Sequence, residues 1–185
     1  MDVLSSRNKL IYLAGFMGSG KSTIGPILAN TIGYDFLDVD RTIETANGQT
    51  INEIFRIHGE DHFRHLERTL IEEITSRSHL VISLGGGTLV DPATFSRIAG
   101  SGIVVYLKAT QEQIFKRLHH KTDRPVLFGV KGERLDEEEL RARIQQLYER
   151  REPIYSRADI IIPTDGIKVG ATVDLIVRRL APHLK

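Results

Sequence analysis

Cysteine does not occur anywhere in this 185-residue chain. Its absence excludes disulfides, thiolate metal sites and cysteine nucleophiles together, and it suits a reducing compartment. An excess of charge of one sign is also lacking. The 25 basic and 24 acidic residues leave a net charge of +1, which excludes capture of nucleic acid or another polyanion by bulk charge. No run approaches the roughly 18 apolar residues that a membrane span requires. The first apolar run, Leu10 to Ala14, is short and leads into glycines rather than a cleavage site, so no signal peptide is expected. What is present, 41% hydrophobic and 26% charged residues, predicts one soluble domain with its own core, expected in the cytoplasm. A monomer is expected, although composition does not give the oligomeric state.

Short apolar, β-branched runs alternate with longer segments of helical period. Strands are predicted at Leu10–Ala14, Asp35–Val39, Leu80–Leu84, Ile103–Leu107 and Asp159–Ile162. They are apolar throughout rather than alternating, as in parallel strands covered on both faces. Thr50 and Glu53 have capping-box spacing for one helix, and so do Thr110 and Gln113 for another. Phe63, Leu66, Leu70 and Ile74 form a stripe, Asp91 and Pro92 read as N-cap and N1, and Leu140, Ile144 and Leu147 mark a further helix. The acidic triplet Glu137 to Glu139 complements the dipole at that helix's start. The last helix carries Val173, Ile176, Val177 and Leu180. This alternation predicts an α/β fold with a five-stranded parallel sheet flanked by helices on both faces. Residues 119–135 break the pattern and are too long for a connector, so a functional loop or an insert is expected there.

Gly15-Phe-Met-Gly-Ser-Gly-Lys21-Ser22 matches G-x-x-x-x-G-K-[ST] in full, after a predicted strand and at the start of a predicted helix. Such a loop turns successive backbone N–H groups inward onto an anion, and the helix N-terminus adds partial positive charge. Gly18, Ser19, Gly20, Lys21, Ser22 and Thr23 are therefore expected to hold the phosphates of a nucleoside triphosphate, which the resemblance given below implies is ATP. Lys21 would sit on the β- and γ-phosphates and the Ser22 hydroxyl on Mg²⁺. The motif alone says nothing about the second substrate.

The metal carboxylate has to come from elsewhere. The third predicted strand ends in Gly85-Gly86-Gly87 and the fourth in Lys108, whereas Asp38-Val39-Asp40 closes the second. Residues two apart on a strand share a face, which would put both carboxylates at the edge where open α/β sheets bind ligands. One could support the metal and the other accept a hydroxyl proton. The competing reading makes Asp40 a helix cap. Arg64, Arg124 and Arg151 suit an anionic acceptor if they converge, which spacing cannot decide. Arg64 and Glu67, three apart, could equally be a surface ion pair worth little.

Taken in order, Gly15–Ser22, Asp38-x-Asp40, Ile43-Glu44, Gly48-x-x-Ile51-x-Glu53-Ile54-Phe55, Gly59-Glu60-x-x-Phe63-Arg64-x-x-Glu67, Gly85-Gly86-Gly87, Arg124-Pro125 and Arg151-x-Pro153-x-Tyr155 resemble the shikimate kinase family pattern over Leu10 to Asp165. The resemblance implies a P-loop kinase of the nucleoside-monophosphate-kinase type, with substrate-binding helices at about 40–78 and a lid at about 119–135. It implies transfer of a phosphoryl group from MgATP to the shikimate 3-hydroxyl. Lys21, Asp40 and Arg124 would be catalytic. Asp40, Arg64, Gly86, Gly87 and Arg151 would hold shikimate, Ser22 and Asp38 (with Ser83) the Mg²⁺, and Arg117 and Arg124 the nucleotide. Related kinases of gluconate or nucleoside monophosphates, and a silent nucleotide-binding relative, are the alternatives. His58, His62 and His65 have helical spacing but straddle a glycine and lack cysteine support, so surface histidines are expected rather than a metal site.

Overall fold

Strand β1 (Leu10–Ala14) lies at the centre of the molecule and is at most 1% exposed along its whole length. The computed structural model describes residues 10–119, 127 and 133–184. Its five strands, β1, β2 (Asp35–Asp38), β3 (Leu80–Ser83), β4 (Gly102–Lys108) and β5 (Ile160–Pro163), form one parallel sheet in the order β2-β3-β1-β4-β5. The chain thus steps over one position on leaving β1, returns to fill it with β3, and then crosses to the other side of β1.

Alternation along β1 divides the core in two. Leu10, Tyr12 and Ala14 face a layer that includes Ile54, Phe63, Ile71, Ile82 and Ile98. These come from α3 (Ile51–His58), α4 (Glu60–Ile74), β3 and α5 (Pro92–Ser101). Ile11 and Leu13 face Ile24, Leu28, Val173 and Ile176 from α1 (Lys21–Ile32) and the C-terminal helix Val169–Leu180. Because both faces are covered, the strands read as continuous apolar runs.

Two expectations are corrected. Strand β2 ends at Asp38, not Val39, because Asp38 is the N-cap of α2 (Val39–Asn47) and its Oδ1 accepts from the Arg41 N–H at 3.2 Å. Asp40 therefore sits in the first turn of a helix. The strand-alternation argument for it fails, and the cap is Asp38 rather than Asp40. On α4 the buried face is Phe63, Glu67, Ile71 and Ile74, whereas Leu66 and Leu70 are only partly covered.

The predicted helix starts hold. Thr50 and Glu53 make both halves of a capping box on α3, with Glu53 N–H donating to Thr50 Oγ1 at 3.2 Å and Thr50 N–H to Glu53 Oε2 at 2.8 Å. Asp91 caps α5 with Pro92 in its first turn. With α6 (Gln111–His119) in place, α7 (Glu137–Tyr155) begins in a second capping box between Asp136 and Glu139. Phe16, Ile114, Phe115, Leu118, Leu127, Leu140 and Ile144 form a third, smaller core that joins the P-loop to α6 and α7. Arg124 and most of the expected lid lie outside the described residues. No helix among the described residues is long and apolar enough to cross a membrane.

Candidate active site

The parallel register brings three strand ends into one row, with Leu13 paired to Ser83 and Ser83 to Asp38. The loop after β1, the loop after β3 and the start of α2 consequently meet at the C-terminal edge of the sheet, the ligand edge of open α/β sheets.

The first loop has the geometry of a phosphate cradle. Gly15 is a glycine for want of space: a Cβ there would lie 2.7 Å from the Leu107 carbonyl oxygen and 2.8 Å from Ser19 Oγ, at a φ of 142°. Lys21 opens α1 and is buried, with its ammonium donating to the carbonyls of Gly15 and Phe16 at 2.7 and 3.2 Å. Its charge is thereby held inside the curl of the loop. Ser22 Oγ donates to Asp38 Oδ2 at 3.0 Å, so the predicted pair does meet. A hydroxyl and a carboxylate oxygen, adjacent to each other and open to solvent, are hard donors of the kind Mg²⁺ takes. Arg117 on α6 reaches back to the P-loop and donates to the Gly18 carbonyl at 2.9 Å.

The loop after β3 forms the floor of a second site. Gly85, Gly86 and Gly87 are followed by a single 3₁₀ turn, Thr88–Val90. A Cβ on Gly85 would lie 2.8 Å from Asp40 Oδ1 and 3.0 Å from Glu67 Oε1, so two carboxylates border this residue. A Cβ on Gly87 would meet Arg64 Nη2 at 2.6 Å, and one on Gly86 would approach Arg151 Nη1 at 3.4 Å. Helices α2, α4 and α7 thus deliver Asp40, Arg64 and Arg151 to one glycine floor next to the P-loop. For Arg64 and Arg151 the convergence that spacing could not decide is present, while Arg124 lies outside the described residues.

The two arginines differ in their electrostatics. Arg64 donates through Nη1 to Glu67 at 2.6 Å and through Nε and Nη2 to Glu60 at 3.3 and 3.1 Å. Burial works against its charge, but Glu67 and then Glu60 outweigh it and hold the pKa above the ordinary value. Arg151 has no carboxylate partner among the described residues, and its Nη1 is buried without a hydrogen bond. Burial lowers its pKa and the Arg64 charge pushes the same way, while the neighbouring Tyr155 acts in opposition. A desolvated, uncompensated guanidinium is costly to hold unless an anion completes it.

Glu67 is not the surface pair that its spacing allowed. It is 3% exposed, pairs with Arg64 and accepts a hydrogen bond from the Thr88 hydroxyl. One signal could have revealed it, since Glu67 is one turn past Phe63 and one turn before Ile71 and so belongs to the buried stripe. Thr88 carried no comparable signal. His58 and His62 are exposed with rings 4.9 Å apart, and among the described residues no group of three or more His, Cys, Asp or Glu could hold a metal ion.

The close approach at Gly87 yields a prediction. Gly87→Ala should displace the Arg64 guanidinium and raise the KM for the acceptor about tenfold or more, with the KM for ATP within about twofold of wild type. Steady-state kinetics with each substrate varied in turn would check it. An unchanged acceptor KM would show that Arg64 does not bind the acceptor from its present position.

Comparison with known proteins agrees with this geometry. The family model described as shikimate kinase matches residues 17–181. A shikimate kinase of Chlorobaculum parvum is 48% identical over 178 residues, covering 96% of this chain and 95% of that protein. Among solved structures, shikimate kinase from Acinetobacter baumannii in complex with shikimate superposes with a TM-score of 0.84 at 32% identity, covering 98% of each chain. Shikimate kinase from Bacteroides thetaiotaomicron gives the same TM-score and identity over 93% of this chain and 98% of its own. With sequence relatives, solved structures and a two-arginine cup beside a P-loop all in agreement, the chain belongs to the shikimate kinase family.

Proposed function

We propose that this chain transfers the γ-phosphoryl group of ATP to the 3-hydroxyl of shikimate, giving shikimate 3-phosphate and ADP. The observation that carries the reading is Arg151, half-buried, with its Nη1 buried without a hydrogen bond and with no carboxylate partner among the described residues, set with Arg64 and Asp40 around the glycine floor next to the P-loop. Shikimate has the complementary groups, a carboxylate for the guanidinium pair and ring hydroxyls for the carboxylate side of the cup.

Arg64 and Arg151 hold the acceptor carboxylate, with backbone N–H groups of Gly86 and Gly87 alongside. This fixes which hydroxyl faces the P-loop, and orientation of that kind accounts for much of the rate in phosphoryl transfer. Asp40 takes the proton of the 3-hydroxyl as the new O–P bond forms, and the bond from the γ-phosphorus to the bridging oxygen breaks to release ADP. Gly18, Ser19, Gly20, Ser22 and Thr23 hold the phosphates, and Lys21 offsets their charge. Ser22 and Asp38, supported by Ser83, would hold Mg²⁺, which supplies charge neutralisation on the phosphate oxygens. Arg117 packs on adenine. Arg124 acts on the transferred group from a lid at about 119–135, and the helices of about 40–78 form the acceptor side of a single domain. The protein works as a cytoplasmic monomer without nucleic-acid or membrane partners.

Coupled ADP release from the purified protein should be strong with shikimate and absent with gluconate or nucleoside monophosphates, and it should disappear when Mg²⁺ is chelated. Activity confined to gluconate or a nucleoside monophosphate would overturn the substrate assignment. Full activity in chelator would overturn the role of Ser22 and Asp38.

A further inference from the structure

Tyr155 ends α7, one turn beyond Arg151, and is 3% exposed. Its hydroxyl donates to the carbonyl oxygen of Gly86. Its ring lies against Tyr106 of β4, with centroids 5.2 Å apart at 40°. Tyr106 is itself 1% exposed at the centre of the sheet, so the phenol is clamped at its ring and committed at its hydroxyl. Burial pushes the Tyr155 hydroxyl up to about 12, against the influence of Arg151, so it remains a neutral donor at physiological pH.

The bond matters because of what it fixes. A peptide unit is planar and trans, so the Gly86 carbonyl and the Gly87 N–H are opposite ends of one rigid plate. Holding the carbonyl on the α7 side sets the direction of that N–H. Three successive glycines have no side chains to hold the segment themselves, and glycine has the widest choice of backbone conformation. Among the described residues, nothing accepts from the N–H of Gly86 or of Gly87. Both donors therefore remain available beside the two guanidinium groups.

We propose that Tyr155 is a positioning residue for the phosphoryl acceptor: its hydroxyl locks the Gly86–Gly87 peptide with the Gly87 N–H presented to the acceptor, in fixed relation to Arg151 on the same helix. The inference rests on the reading of this cup as the shikimate site. It assigns Tyr155 no contact with substrate. Its effect passes through the peptide it holds and through the spacing between floor and guanidinium.

Tyr155→Phe keeps the ring against Tyr106 and removes only the hydroxyl. The expected result is a rise of about five- to tenfold in the KM for shikimate, from the loss of one buried hydrogen bond. The kcat should stay within about threefold and the KM for ATP within about twofold, because the P-loop is untouched. A merely structural role would lower the melting temperature while leaving the shikimate KM unchanged, and that result overturns the proposal. Proportionate losses for both substrates also overturn it. The amide resonances of Gly86 and Gly87 in the wild-type protein give a second measurement that needs no variant. They should shift on titration with shikimate alone, and their indifference would count against the proposal even if the variant failed to fold. A wild-type protein that neither binds nor phosphorylates shikimate removes the acceptor assignment, and this inference with it. Wild-type activity with an unperturbed Tyr155→Phe variant removes only the role of Tyr155.

Discussion

Replacing Arg151 with methionine is expected to abolish useful turnover of shikimate while leaving the protein at least as thermally stable as the wild type. The two halves of this result have one cause. Arg151 is desolvated, its Nη1 has no hydrogen-bond partner, and the like-charged Arg64 adds to the cost of its charge. Burial makes the charge of this guanidinium costly to hold and pushes its pKa down. Methionine is similarly long, unbranched and uncharged, so it can keep the contact with the Phe16 ring, which lies 5.7 Å from the Arg151 guanidinium carbon. Replacing an uncompensated buried charge with an apolar side chain of similar length is neutral or stabilising.

The same charge is what an acceptor carboxylate needs. Arg64 is already matched by Glu60 and Glu67, so it offers direction but little net charge. Losing the partner of a buried, hydrogen-bonded charge costs about 2–5 kcal/mol, which predicts a fall in kcat/KM for shikimate of roughly 30- to 4,000-fold. Binding of a fluorescent ADP analogue should be unaffected. Thermal melting and kinetics on one preparation check both halves. A variant that melts well below the wild type and retains its shikimate KM would mean that Arg151 is structural.

How much of this was legible beforehand depended on whether the signal was local. The P-loop and the strand alternation are contiguous patterns, and so is the capping box of Thr50 and Glu53, whereas of the box expected at Thr110 and Gln113 the Gln113 N–H to Thr110 Oγ1 bond is made at 3.4 Å and the box of Asp136 and Glu139 is not among those expected. Asp38 and Asp40 were placed at the right edge of the sheet for a mistaken reason. The capping preference of Asp38 for the Arg41 N–H overrides strand continuation, which turns Asp40 onto the first turn of a helix. Spacing alone leaves Glu67 open between a surface pair and a buried one, because an i, i+3 pair is satisfied equally well inside or outside. Only its place between Phe63 and Ile71 on the helix decides the matter. The bond from Tyr155 to Gly86 joins residues 69 positions apart, and no sequence pattern encodes it. The same holds for the convergence of Arg64 and Arg151, which the resemblance implied and the packing of α4 and α7 on the glycine floor supplies.

The helical setting of Asp40 carries the second large effect. Asp40→Asn should reduce kcat for shikimate by about 10²- to 10⁴-fold, the usual contribution of a positioned general base, with the shikimate KM changed by less than about tenfold. The first turn of α2 favours a negative side chain, which suits a carboxylate at this position. Asparagine preserves the shape and fits a helix start, which keeps the fold out of the result. Its amide, however, cannot take the proton of the attacking hydroxyl. Glu67 cannot substitute, although both carboxylates border Gly85. Its oxygens are committed to Arg64 and Thr88, and it is held on the buried face of α4. Nucleotide binding separates this role from that of Asp38, which contacts Ser22 directly. Asp40→Asn should bind MgADP like the wild type. If its MgADP affinity collapses, Asp40 belongs to the metal site, and if kcat stays within tenfold of wild type, the hydroxyl proton leaves by another route.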